Sequence, residues 1–330
     1  MGDFRFVIVG TGGISATYLR AIGKLEGVSV AAMVSRGGNR PAALDASIPV
    51  VPSLDAVPIP FDAVILCTPN NAHREGALAA ARLGKHVLTE KVLAATVEAM
   101  DAMTAACAAA GVQLAVTFQR RMSPDNQALK RLLDSGALGR PFAADVRVKF
   151  YRPPEYYRGY RGGYEIDGGG PFIQQASHQI DLLCWFFGMP EKVVSMLGTF
   201  LHKIEAEDHG VALLRYAGGM IGTVTASTAC KPGFPGMIEI HTDRGGVVLE
   251  NDEIVLWKID GVPNPAATRA PGFQVHSGAA TAIVSDTAGH EAILRDFIDA
   301  IRHNRPPAAP ASSARLATEL ALAIYRANVA

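Results

Sequence analysis

In the first third of the chain, short β-branched runs alternate with longer amphipathic ones, and few folds accommodate that rhythm. Strands are predicted at Phe4–Val9, Val28–Val34, Ala63–Cys67, His86–Thr89 and Gln113–Phe118. Helices are predicted between them at Ile14–Leu25, Ala72–Leu83 and Ala94–Ala110. Strand and helix taking turns across short connections imply a parallel sheet with helices on both faces. Such a sheet binds ligands beyond the carboxyl ends of its strands, so the residues that follow each strand are the ones to read for chemistry.

The turn after the first strand is Gly10-Thr11-Gly12-Gly13-Ile14-Ser15. Gly10 permits a tight turn, Gly12 lets the backbone approach a pyrophosphate, and the third position needs a small residue, here Ser15 in place of glycine. The helix that starts here points N–H groups at the phosphates. Glycine-rich turns also occur for purely structural reasons. Between the first strand and first helix of an alternating domain, however, this one reads as a dinucleotide site, with Gly10, Thr11, Gly12, Gly13 and Ile14 as contacts. The second strand runs out through Val34-Ser35-Arg36, and no acid follows until Asp45. An acid at that point would bind the adenosine 2′-hydroxyl, whereas Ser35 and Arg36 suit a 2′-phosphate. The expected cofactor is therefore NADP, with NAD possible. The alternative makes Arg36 and Arg40 plain surface charges.

The strand ending at Cys67 gives way to Thr68-Pro69-Asn70-Asn71, with His73 just beyond. Thr68, Pro69 and Asn70 are expected to line the cofactor. His73 either contacts its ribose or nicotinamide or caps the next helix. Glu90 and Lys91 follow the strand ending at Thr89. A lysine on a loop is usually a solvated charge, but this one directly follows a strand that should end beside the nicotinamide, which makes Lys91 a candidate catalytic residue. Glu90 either orients it or hydrogen-bonds the ribose.

Composition bounds the rest. The 330 residues are 49% apolar and 19% charged, enough for two globular domains with a sizeable core. Lys+Arg and Asp+Glu both number 31, so no global field draws the chain to nucleic acid or an anionic membrane. Cys67, Cys107, Cys184 and Cys230 are far apart, without metal-type spacing. They indicate a reducing, cytoplasmic setting with neither a disulfide framework nor a bound metal. The N-terminus lacks a basic n-region and a cleavage site, and no apolar run approaches the ~20 residues of a membrane span.

Several segments fall in one order along nearly the whole chain: the turn at 10–15, Thr68-Pro69-Asn70, and Gly84-Lys85-His86-Val87-Leu88-Thr89-Glu90-Lys91. Then come Phe118-Gln119-Arg120-Arg121, Ser135-Gly136-Ala137-Leu138-Gly139-Arg140 and Asp167-Gly168-Gly169-Gly170. Ser177-His178-Gln179-Ile180-Asp181, Ile204-Glu205-Ala206-Glu207-Asp208, and His290 with Asp296-Phe297 complete the series. In that order they resemble the Gfo/Idh/MocA family (glucose–fructose oxidoreductase, inositol dehydrogenase and rhizopine-catabolism proteins). The resemblance implies an α/β Rossmann domain over 1–120 and an α+β domain over 121–330 with an open, mostly antiparallel sheet. Helices would cover one face of that sheet, and the other would pair with a second subunit in a homodimer or homotetramer. It also implies that Gln119 contacts cofactor and substrate. Two departures stand out. The family's Glu-Lys-Pro is here Glu90-Lys91-Val92. Four residues before the family's histidine, where many members carry Asp and some sugar-modifying members Asn, this chain has Gln174.

After Phe118 the residue pattern itself changes. A helix near Asn126–Leu133 precedes strand-like runs at Phe142–Phe150, Val193–His202, Val211–Tyr216, Met220–Ala229, Met237–Thr242 and Val247–Leu249, as expected of an antiparallel sheet. Two closing helices, Glu291–Ile301 and Ser313–Tyr325, flank a proline-rich linker. Gln174, His178 and Asp181 are spaced i, i+4 and i+7, so on one helix they share a face. A lone histidine there is more often a satisfied core residue, but three polar groups on one stripe, behind a glycine run that admits a cofactor, point to a catalytic His178. Asp181 either orients its ring or pairs with a buried arginine. The stretch from Phe150 to Tyr164 interleaves Tyr151, Arg152, Tyr156, Tyr157, Arg158, Tyr160, Arg161 and Tyr164. Such a mix can bind nucleic acid, yet the balanced net charge opposes that. A substrate lid using Tyr157 and Arg161, or an inter-subunit contact, fits better.

The activity expected from these residues is hydride transfer between a nicotinamide cofactor and a hydroxyl or carbonyl of a sugar, cyclitol or sugar derivative. Lys91, Gln119, Tyr157, Arg161, Gln174 and His178 would hold that substrate, His178 exchanging the proton and Lys91 stabilising the alkoxide. A non-catalytic NAD(P)-binding sensor of the same fold is the alternative, and a C=N or C=C reductase a third.

Overall fold

The computed structural model of the protein describes residues 3–159, 161–267 and 286–329; Tyr160 of the aromatic loop lies outside them. The chain divides into two compact units, Met1–Gln119 with Val284–Arg315, and Arg120–Ile283 with Leu316–Ala330.

In the first unit, strands β1 (Phe4–Val9), β2 (Val28–Val34), β3 (Val50–Val51), β4 (Ala63–Leu66), β5 (His86–Thr89) and β6 (Leu114–Val116) form one sheet in the order β3-β2-β1-β4-β5-β6. Every pairing is parallel. The chain moves outward from β1 to β3, then restarts on the other side at β4, which puts the topological switch point beside β1. Ala63-Val64-Ile65-Leu66 is wholly buried, as expected of a central strand covered on both faces. Helices α1 (Gly13–Ile22), α2 (His73–Arg82) and α3 (Val97–Ala109) supply the crossovers. α3 starts three residues later than expected because Thr96 caps it, accepting the Ala99 N–H at 3.2 Å, while Val92, Leu93 and Ala94 are spent on a buried turn.

The second unit contains α4 (Pro124–Asp134), β7 (Pro141–Lys149), the short helices α5 (Tyr164–Asp167) and α6 (Pro171–Gln174), and α7 (Ser177–Phe187). Strands β8 (Lys192–Gly198), β9 (His209–Arg215), β10 (Ile221–Ser227), β11 (Met237–Thr242), β12 (Gly245–Glu250) and β13 (Glu253–Ile259) follow. The seven strands run in the order β13-β12-β11-β7-β10-β9-β8, antiparallel except for the pair β7/β10. β13 is an addition to the expected set. Its hairpin turns at Asn251 and Asp252, both at positive φ, the requirement of a two-residue primed turn. Helices α4, α6 and α7 cover one face. On the other, the strand register gathers Val194, Met196, Val211, Leu213 and Ile221 into an exposed apolar patch.

The expected division at residue 120 needs one correction. Helix α8 (Ala288–Arg302) was expected in the second domain, but it belongs to the first unit. Its Leu294, Phe297 and Ile298 share a core cluster with Tyr18, Ala21, Ile22 and Leu25 of the α1 region. At roughly 2 kcal/mol for each large apolar side chain buried, that return covers a helix face which would otherwise stay wet. The boundary between units falls inside α9 (Ala311–Arg326), after Arg315. No helix among the described residues is long and apolar enough to cross a membrane.

Candidate active site

The carboxyl edge of the first sheet carries the glycine turn. Gly10 has φ 100°, and a Cβ there would sit 2.8 Å from the Cys67 carbonyl oxygen, so only glycine fits between β1 and β4. Gly12 and Gly13 are exposed, and a Cβ on either would meet nothing within 4 Å. Gly12 caps α1 without a side-chain bond, which leaves the helix N-terminus open to an anion. Ser15, the residue in place of the third glycine, is buried and donates its hydroxyl to the Gly12 carbonyl at 2.8 Å, stitching the turn from within. Ile14 packs into the core below, and Thr11 is half-buried. Thr68 Oγ1 and Gln119 Oε1 are buried and have no hydrogen-bond partner among the described residues. An open helix N-terminus, a cradle without Cβ atoms and orphaned polar atoms fit a bound dinucleotide.

At the end of β2, Ser35 Oγ accepts the Asn39 N–H at 3.1 Å. The Arg36 side chain is 80% exposed, with only a long 3.8 Å approach to Glu75. Asn70 is buried and Pro69 half-buried in the turn after β4.

Lys91, half-buried, stands on a polar pedestal at the end of β5. The Tyr18 hydroxyl donates to Glu90 Oε1 at 2.6 Å and lies 2.7 Å from Thr117 Oγ1. Burial and the Glu90 carboxylate push the Tyr18 phenol well above its usual range, so it stays protonated and serves as the donor. The other carboxylate oxygen accepts the Lys91 N–H at 3.3 Å. The His290 ring meets the Tyr18 ring edge-on at 5.3 Å, with Nε2 4.0 Å from Glu90 Oε1. Burial holds His290 below the usual histidine range. The Lys91–Val92 peptide is cis.

His73 clarifies one open reading. It is fully buried, with Nδ1 3.0 Å from the Val92 carbonyl and 3.2 Å from that of Leu93, and Nε2 3.0 Å from the Thr68 carbonyl. The ring lies between the turn after β4 and the turn after β5, and in the neutral form that burial favours it donates one N–H to one of these carbonyls. The ring is committed to that place, which is a correction to its reading as a ribose or nicotinamide contact.

In the second unit, the helix face expected to join Gln174, His178 and Asp181 is broken between the first two, while His178 and Asp181 share α7 at i, i+3. Gln174 ends α6, the chain bends at Gln175–Ala176, and His178 is the second residue of α7. Gln174 turns back and donates Nε2 to the Asp167 carbonyl at 2.5 Å. Asp181 does not orient His178: Arg121 binds both its carboxylate oxygens, at 2.8 and 2.6 Å, and both side chains are almost fully buried. The neighbouring Arg120 pairs with Asp252 at 2.6 Å, also buried. His178 itself is half-buried.

The glycine run before α6 also has a packing reason. A Cβ at Gly169 would lie 2.4 Å from the Tyr325 hydroxyl, and one at Gly170 would lie 2.0 Å from the Glu207 carbonyl oxygen. Glu207 accepts the Gly170 N–H at 3.2 Å, the Phe172 N–H at 3.3 Å and the Tyr325 hydroxyl at 3.1 Å. Burial pushes this carboxyl up to about 7. In the aromatic loop, Tyr157 donates its hydroxyl to Thr228 Oγ1 at 2.5 Å and packs its ring on His202, while Arg161 donates to the Tyr156 hydroxyl at 2.7 Å. The sequence reading missed Tyr18 and Tyr325 as supporting residues. The only signal was a hydroxyl-bearing ring inside an otherwise apolar helix stripe.

A doubly wound parallel sheet with an open glycine turn at its switch point, followed by an α+β unit, defines a nicotinamide-dependent oxidoreductase. Residues 4–118 match the oxidoreductase family with the NAD-binding Rossmann fold, and residues 126–248 match the GFO/IDH/MocA C-terminal domain. The chain belongs to the GFO/IDH/MocA family. It is 31% identical to the WlbA dehydrogenase from Bordetella pertussis, whose crystal structure in complex with NADH and UDP-GlcNAcA superposes with a TM-score of 0.84 over 98% of this chain and 96% of that one. It is 30% identical to 1,5-anhydro-D-fructose reductase from Ensifer adhaerens, over 75% of this chain and 76% of that protein. Inositol 2-dehydrogenase from Rhizobium meliloti is 26% identical, over 79% and 81%.

Proposed function

We propose that the protein interconverts a hydroxyl and a carbonyl on a sugar, cyclitol or sugar derivative, with Lys91 and His178 as its catalytic residues. The bound nicotinamide supplies the hydride acceptor and donor. His178 takes the hydroxyl proton in oxidation and returns it in reduction, a task suited to an imidazole whose unperturbed pKa lies near neutrality. The Lys91 ammonium stabilises the alkoxide that develops as that proton leaves. Gly10, Thr11, Gly12, Gly13, Thr68, Pro69, Asn70 and Glu90 hold the cofactor, Gln119 reaches both ligands, and Gln174 helps to hold the substrate. The observation that carries this reading is the placement of Lys91 on a Tyr18–Glu90–Thr117 pedestal, buried at Tyr18 and Thr117 and partly buried at Glu90, at the same sheet edge as the open glycine turn. The names of the relatives, a reductase of an anhydro sugar and an inositol dehydrogenase, support the substrate class. Lys91→Ala is expected to lower turnover by about a thousandfold while cofactor affinity stays nearly intact. Near-normal turnover in steady-state assays would remove Lys91 from the chemistry.

The cofactor we assign is NADP in preference to NAD. Support comes from Ser35 and the exposed Arg36 at the end of β2, where the chain itself places no acid before Asp45 and the exposed Glu75 approaches Arg36 only to 3.8 Å. Arg36→Ala is expected to weaken NADPH binding about tenfold and NADH binding hardly at all; equal losses by fluorescence titration would refute the assignment. The patch around Val194, Met196, Val211, Leu213 and Ile221 supports self-association through the open sheet face, and sedimentation as a monomer at micromolar concentration would refute that. Four unpaired cysteines suit a reducing compartment such as the cytoplasm.

A further inference from the structure

The segment from Lys149 to Arg161 carries four basic side chains, Lys149, Arg152, Arg158 and Arg161, against one acid, Glu155, in a chain whose charges balance overall. Tyr156 is their hub. The guanidinium carbon of Arg161 lies 4.5 Å from the centre of its ring, and that of Arg152 lies 5.5 Å away. The Tyr156 hydroxyl accepts from Arg161 Nη1 at 2.7 Å and from Gln175 Nε2 at 3.0 Å. Gln175 is at the bend before α7, three residues ahead of His178, so the cluster is fastened to the element that carries the proposed acid–base. Arg152 is only 5% exposed. It stacks on Phe150 as well, at 5.5 Å, and donates to the Tyr151 carbonyl. Lys231 adds a further charge 4.9 Å from the centre of the Tyr151 ring, and Arg158 is exposed.

Solvated surface charges do not arrange themselves this way. Long cationic side chains left to water spread apart and keep their rotamer freedom. Here two guanidiniums converge on one ring and one of them is buried, which disfavours its charge. The Arg152 pKa is lowered, first by burial and with Arg161 contributing repulsion. Held in this way, the planar forks match the oxygens of a carboxylate or phosphate, and a bound anion offsets the repulsion between them. We propose that the Arg152–Tyr156–Arg161 cluster, with Arg158 at its exposed end, recognises an anionic substituent on the substrate, so that the enzyme acts on acidic sugar derivatives in preference to neutral ones. This rests on His178 as the acid–base of the proposed function. The shared chemistry is an anionic oxygen cluster, and carboxylate and phosphate are told apart by the test.

The experiment titrates the full-length protein, loaded with NADPH, with D-glucose, D-glucuronate and D-glucose 6-phosphate by calorimetry, and repeats it on Arg158→Gln, Arg161→Gln and Arg161→Lys. The expected result is binding of at least one acidic sugar about tenfold or more tighter than glucose. That advantage should be lost in Arg161→Gln, reduced in Arg158→Gln and partly kept in Arg161→Lys, with NADPH affinity unchanged. Tighter glucuronate assigns a carboxylate and tighter glucose 6-phosphate a phosphate. Glucose binding as well as both acids, no binding of either acid, or an acid preference that survives both glutamine variants would overturn the proposal. Arg158 is exposed, so its variant remains informative even if Arg161→Gln unfolds. Turnover separates the two readings. A neutral sugar oxidised without acid preference overturns only the anion site, whereas unchanged turnover in Lys91→Ala and His178→Ala overturns the hydride-transfer assignment and leaves anion binding to be judged by the titrations.

Discussion

The two side chains proposed for the chemistry rest on different foundations. Lys91 extends from a turn fixed by side chains drawn from five places in the sequence: Tyr18, His73, Glu90, Thr117 and His290. Within that set, burial and the Glu90 carboxylate push the Tyr18 phenol well above its usual range, and burial holds His290 below the usual histidine range. His178 stands near the start of a helix whose approach is held through its backbone. Glu207 grips the N–H groups of Gly170 and Phe172, and the Arg121–Asp181 pair fastens α7 one turn on. Glu207 does titrate near neutrality. The contrast teaches that a positive charge can be set on a sheet edge once and left, whereas the scaffold of the acid–base responds to pH.

The largest effect that could break this contrast is expected at the buried ion pair. Asp181→Ala removes the carboxylate that Nε and Nη2 of the buried Arg121 reach, at a cost of about 3–5 kcal/mol. Denaturant unfolding should show that loss, and a change below about 1 kcal/mol would mean that the pair does not fasten α7. Next comes Glu207. Its carboxyl is raised from 4.5 to about 7, so the folded state holds a proton that the unfolded chain releases. The associated stability is fully present below pH 4.5, and it is lost as pH rises through 7. Over that span it amounts to roughly 3 kcal/mol at 1.36 kcal/mol per pKa unit. Glu207→Gln mimics the protonated form, so its stability should change less than that of wild type between pH 5 and pH 8; parallel melting curves across that range would refute the assignment. The smallest effect sharpens the other side. Tyr18→Phe removes a hydrogen bond to a carboxylate, worth about 1.5–3 kcal/mol, and should lower turnover more than it lowers cofactor affinity. Equal losses in both would mean that the pedestal positions the nucleotide and not Lys91.

Much of the first unit was legible because its signals are local. The predicted limits Phe4–Val9, Val28–Val34 and His86–Thr89 coincide with β1, β2 and β5, since β-branched runs bounded by glycine or charge carry their own punctuation. β3 has two residues and therefore no period to detect. The bend that separates Gln174 from His178 contains neither glycine nor proline, so an unbroken helical spacing read straight through it. The return of α8 was invisible for another reason: the amphipathic stripe of Leu294, Phe297 and Ile298 states that the helix packs, but not against what. In the candidate site, the residues next to strand ends stood out by position. Glu207 and Tyr325 did not, because their roles depend on contacts distant in the chain: Glu207 reaches back to Gly170 and Phe172, and Tyr325 returns to Glu207 from 118 residues on.

The placement of α8 has a consequence for synthesis. The strands of the first sheet leave the ribosome long before the helix that shields Tyr18 and Ile22. A nascent chain halted near residue 120 should thus carry an uncovered helix face and call on chaperones, and early truncations should be cleared rather than persist as free nucleotide-binding fragments.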